Sequence, residues 1–112
     1  MSDFEPPIQN LESIDIVGER RGGGLDLVIV ASRALDGGAD TLQRLDRKIR
    51  SYIAEVASGA LEVKYPASFP GKVTIIVSCP HSVDVAARGL IEALKCEAET
   101  SGVTLELRKS VV

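Results

Sequence analysis

The residue types best suited to covalent or acid–base chemistry stand together once, in Ser78-Cys79-Pro80-His81-Ser82. A cysteine thiolate is a strong nucleophile, and a helix N-terminus or a nearby histidine can stabilise it. The alternation before this segment reads as a strand, and the periodicity after it reads as a helix. The segment is therefore expected at the carboxyl end of a strand, opening onto a helix, where ligands favour α/β sheets. Cys79, His81 and Ser82 are the candidate catalytic residues on that ground. Against them, neighbouring positions do not by themselves pair a nucleophile with a base, and no third residue stands out to orient the histidine. Cys79 also falls on the strand face expected to meet the helices, where cysteine is commonly an inert small hydrophobe.

Other site chemistries find less footing. Cys79 and Cys96 are the only cysteines and His81 the only histidine. Three such ligands cannot complete a Cys/His zinc set, and the C-x-x-C spacing is absent. No metal or other cofactor is expected. Gly22-Gly23-Gly24 joins two strands, so it reads as a turn; a phosphate loop joins a strand to a helix. Asp36-Gly37-Gly38-Ala39-Asp40 does lead into a helix. It lacks the Lys and Ser/Thr of a P-loop and sets two carboxylates where a phosphate would sit. Asp40, with Gln43 three residues on, reads instead as an N-cap.

A different chemistry attaches to residues 60–71, expected to be the longest irregular stretch. Tyr65 and Phe69 are two of only four aromatic residues, and each precedes a proline. Within residues 65–71 no acid, base or nucleophile is stronger than Ser68, so a functional loop here would bind a partner. Arg44, Arg47, Lys48 and Arg50 make the first helix basic, while Asp84, Glu92, Glu97 and Glu99 make the second acidic. Both read as solvated faces with some mutual attraction.

The elements that must position these residues follow from periodicity. Strands are expected near 13–20, 25–32, 73–79 and 103–108, each alternating between two faces. Leu42, Leu45, Ile49, Tyr52, Ile53 and Val56 form one apolar stripe of a first helix ending at Gly59. A second helix, capped by Ser82, carries Val83, Ala86, Ala87, Leu90, Ile91, Leu94 and Ala98 and stops at Gly102. The order ββαβαβ predicts an α/β fold, in α+β two-layer sandwich form. Its four-stranded mixed sheet has strand one antiparallel at an edge and two helices on one face. Strand order 1-2-3-4 is the simplest and 1-2-4-3 the alternative. Residues 1–10 read as an N-terminal tail and 11–112 as a single domain.

Composition excludes several partners. The chain has 112 residues and a net charge of −3, which argues against nucleic acid and anionic lipid. Its longest apolar run, Leu27 to Ala31, is far short of the roughly 20 residues that cross a bilayer. The first residues lack the basic and apolar regions of a signal peptide, so a cytoplasmic location is expected.

The pattern Ile14-Asp15-x-x-Gly18, Leu35-Asp36, Lys48-Ile49 with Tyr52, Ser58-Gly59, Tyr65-Pro66 and Gly71-Lys72 resembles a family of short bacterial proteins known only as a domain of unknown function. The likeness runs from about Leu11 to Arg108 and implies a small stand-alone bacterial α/β protein. It transfers no activity. That family commonly has tryptophan after the Leu-Asp dipeptide, where this chain has Gly37.

One face of the predicted sheet sets the functional expectation. Opposite the helices, Val17, Val28, Val30 and Ile76 would form an apolar centre with a polar rim, more than a free sheet face usually shows. Together with Tyr65 and Phe69 these are the candidate partner-binding residues. A non-enzymatic interaction module acting as a homodimer is expected, with an unidentified protein partner as a further possibility; cover of this face by the N-terminal tail is the alternative to a dimer. The alternative is a small enzyme or ligand-binding protein using the Cys79/His81 loop.

Overall fold

The computed structural model describes residues 6–9, 11, 14–66 and 72–109. Strands β1 (Ile16–Glu19), β2 (Leu25–Val30), β3 (Val73–Ser78) and β4 (Val103–Arg108) form one sheet in the order β1-β2-β3-β4. Helix α1 (Ala39–Ser58) carries the short α2 (Ala60–Lys64) at its end, and α3 (Val85–Thr100) follows β3. β1 pairs antiparallel with β2; β2–β3 and β3–β4 are parallel. A parallel pair needs a long crossover, and α1 and α3 supply the two. Both pack on one face of the sheet, as expected.

Between β1 and β2 the turn is set by Gly22, Gly23 and Gly24, all with positive φ. Gly24 also lies against the Lys72 backbone, where a Cβ would come within 2.9 Å of the carbonyl oxygen. A side chain there would displace the start of β3, so this position needs glycine twice over.

The turn fixes a register that corrects one expectation. Ile16 pairs with Val28 and Val17 with Leu27. Paired residues share a face, so Val17 joins Leu27, Ile75 and Leu105 under the helices, and Ile16 takes the open face. A slip of one residue in the expected alternation reverses a strand's faces.

Beneath the helices, Leu25, Leu27, Ile29, Ile75 and Val77 meet Leu45, Ile49, Tyr52, Ile91 and Leu94 in one buried cluster. Each such aliphatic side chain contributes about 1.5–3 kcal/mol on burial. Gly59 stops α1 in the left-handed conformation, its N–H donating to Val56 O. Other ends differ from expectation. Gly38 is the N-cap residue of α1, without a side-chain cap bond. The Asp36 carboxylate instead accepts from Gly38 N–H and the Thr41 hydroxyl. α3 is capped by Asp84, which accepts from Ala86 N–H. Ser82 cannot cap it, because Val83 is held in a bridge with Leu35 before the helix begins. Residues 60–64, expected to be irregular, are helical.

The largest departure is Lys48. It reads as part of a basic surface, yet its side chain is 0% exposed. Its ammonium donates to Asp15 Oδ1 at 2.7 Å and to Gln9 O at 2.5 Å. The other Asp15 oxygen accepts from Val30 N–H at 2.9 Å. The Tyr52 hydroxyl accepts from Asp15 N–H and donates to Val28 O. Among the described residues no buried side-chain polar atom lacks a partner.

Two predictions follow from this network. Asp15→Asn strips the charge opposite a buried ammonium and is expected to cost about 3 kcal/mol in urea unfolding. Lys48→Met removes the buried charge itself and is expected to cost less. A smaller loss for the asparagine variant would contradict this account. Burial pushes the Tyr52 phenol up, beyond its ordinary range. A raised folded-state pKa favours the protonated form, so this stability is present below about pH 10, the ordinary tyrosine value, and declines above it. Tyr52→Phe is expected to be less stable at neutral pH but to lose less between pH 8 and pH 11 than the parent chain.

Candidate functional site

The Ser78–Ser82 segment lies where the sequence places it, at the carboxyl end of β3 before α3. Its side chains do not assemble as a catalytic set. Cys79 is buried, and its Sγ lies 3.7 Å from Arg33 O, 3.6 Å from His81 O and 3.9 Å from Ser82 O. Three carbonyl oxygens around one thiol suit a weak donor that ties the loop together. His81 and Ser82 are exposed, and no hydrogen bond joins either side chain to the thiol.

The α3 N-terminus beside them is occupied by the Asp84 carboxylate. Asp84 approaches the 35–38 connection closely: a Cβ at Gly37 would lie 2.6 Å from Asp84 Oδ2. Glycine therefore makes room for the cap. Around the loop lies a shallow depression of about 180 Å3, bounded by Cys79, His81, Arg88, Leu107, Arg108 and Lys109. Among the described residues no group of three or more His, Cys, Asp or Glu could hold a metal ion.

The candidate binding residues divide between two surfaces. Val28 and Ile76 lie on the open face but are already buried within the chain, so they present no surface to a partner. Val30 stays 40% exposed, and Ile16 beside it is 47% exposed. Asp26 and Glu106 share that face and pair with Arg20 and Arg108. Val17, moved to the other face by the register, meets Tyr65 in a groove of about 650 Å3 with Ile14, Asp15, Glu55 and Lys64. Phe69 lies outside the described residues.

Sequence reasoning missed Ile16 because it assigned the strand the wrong parity. It missed the Asp15–Lys48–Tyr52 network because lysine ordinarily marks a solvated position. The one available signal was the spacing of Lys48 and Tyr52, four residues apart and thus on one helix face. The expected attraction between helices takes the form of Arg50–Glu97, at 2.6 Å. Both side chains are about half exposed, so the pair adds little stability.

A thiol reagent should separate the two cysteines. Cys96 is exposed and Cys79 buried. One thiol is expected to react rapidly in the native protein and the second only on unfolding. Rapid, pH-dependent labelling of Cys79 in the native state would show a reactive nucleophile instead.

No helix of the described chain is long and apolar enough to cross a membrane. No curated protein and no solved structure matches this sequence. A family match does cover nearly all of it, spanning the Asp15 network, the Leu35-Asp36 connection and all four strands. The chain belongs to the family of unknown function DUF6572, which it matches over residues 7–110.

Proposed function

We propose that this protein is a non-enzymatic interaction module that acts as a homodimer, joined along the β1 edge. The observation that carries the reading is the pairing of Ile16 and Val30. Four large hydrophobic side chains are exposed among the described residues: Ile16, Val30, Val63 and Val85. The two that belong to the sheet are diagonal neighbours on its open face, at the edge where β1 pairs with β2 alone. Across the strand, Val17, Ile14 and Tyr65 line the groove, so β1 has apolar surface on both sides.

A second copy is the occupant that fits such an edge with least addition. Antiparallel pairing of β1 with its own copy about a two-fold axis repeats one contact twice and makes the sheet continuous. It would also give Ile16 new neighbours from the partner on the open face, beside Val30. The Cys79/His81 alternative gains no comparable support, because the thiol is turned into its own loop.

Light scattering tests the proposal. The chain is expected to run as a dimer at tens of micromolar, and Ile16→Lys with Val30→Lys is expected to give a folded monomer. Both side chains are exposed, so the fold should lose little by their replacement. A parent chain that is monomeric, or a dimer untouched by the double substitution, overturns the reading.

A further inference from the structure

The depression beside the Cys79 loop has a charge unlike that of the chain as a whole. The protein is net negative at −3, yet Arg88, Arg108 and Lys109 line this one hollow beside His81, and among the described residues no carboxylate lines it. Arg108 is already matched by Glu106, two residues before it on the open face of β4. No side-chain ion pair or hydrogen bond engages Arg88, Lys109 or His81 among the described residues. They come from three separate stretches of chain: the loop after β3, the second turn of α3 and the residue after β4. Arg88 and Lys109, cations from separate elements, repel one another and gain nothing from being gathered, unless a counter-charge sits between them.

The α3 N-terminus adds little to this surface, since the Asp84 carboxylate already caps it, accepting from Ala86 N–H. The attraction therefore rests on side chains. Leu107 and Val83 supply an apolar wall beside them. A cationic rim with an apolar wall fits a compact anion carrying an apolar remainder. An arginine fork matches the paired oxygens of a phosphate group, and lysine adds a point charge.

We infer that this hollow binds the phosphate group of a small phosphate monoester, held by Arg88 and Lys109, with its organic part against Leu107. The site lies away from the β1 edge and does not depend on the dimer.

Amide NMR titration with phenyl phosphate and with inorganic phosphate, at fixed ionic strength, tests the inference. Phenyl phosphate is expected to shift the amides of His81, Ser82, Arg88 and Lys109 in a saturable way. Arg88→Ala with Lys109→Ala is expected to weaken binding about tenfold or more, in line with the loss of charge-assisted hydrogen bonds. Lys95→Ala, on the exposed face of α3 beside Glu92, is the control and should change nothing. Tighter binding of phenyl phosphate than of inorganic phosphate supports a monoester. Equal affinity overturns the assignment of an organic ligand and leaves free phosphate as the ion recognised. Equal shifts with chloride, or unchanged affinity in the double variant, overturn the site altogether.

Discussion

A buried ammonium on α1 constrains much of this structure. Taking Lys48 out of water costs several kcal/mol unless its charge and its N–H groups are met. Asp15 meets the charge, and Gln9 O takes a second N–H. Asp15 can do so only because its second oxygen binds Val30 N–H and its own N–H meets Tyr52. One residue thus joins the entry of β1, the end of β2 and the middle of α1. The N-terminal segment is tied to the same centre: Pro7, Ile8 and Gln9 carbonyls accept in turn from Ser32 N–H, Arg44 and Lys48. The apolar stripe would hold α1 on the sheet without Lys48, but it would not specify the path of the first residues.

The same centre separates the two surfaces of functional interest. The β1 edge lies next to it, and Asp15 lines the groove that holds Tyr65. The cationic hollow sits beyond the carboxyl ends of β3 and β4, against α3. A change at one has no shared side chain through which to reach the other. The sheet gives the two sites a common rigid floor and little else.

Much of the fold was legible because its signals are periodic. The alternation in 73–79 and 103–108 and the stripe from Leu42 to Val56 each reflect a face that must be buried, and these gave the strand order and the helix placement. What escaped was set by single contacts. The parity of β1 depends on how a glycine turn seats Arg20 against Gly24, which alternation alone does not encode. Asp84 caps α3 because Val83 is held by Leu35, forty-eight positions earlier in the chain by number. The site was legible in part. The Cys79 loop was correctly placed at a strand end, but nothing in its spacing could show that the thiol turns inward, nor that Arg88 and Lys109 arrive beside it.

Gly37 and Asp84 illustrate a coupling of another sort. The carboxylate that caps α3 occupies the volume a Cβ at position 37 would take. The two positions therefore form one choice. A chain of this fold with a bulky residue at 37 must turn its cap aside or find another, and a chain that keeps the cap is held to glycine. Divergence at either site then becomes contingent on the other, and exchanging single residues between relatives at this connection would carry a cost that exchanging both together would not.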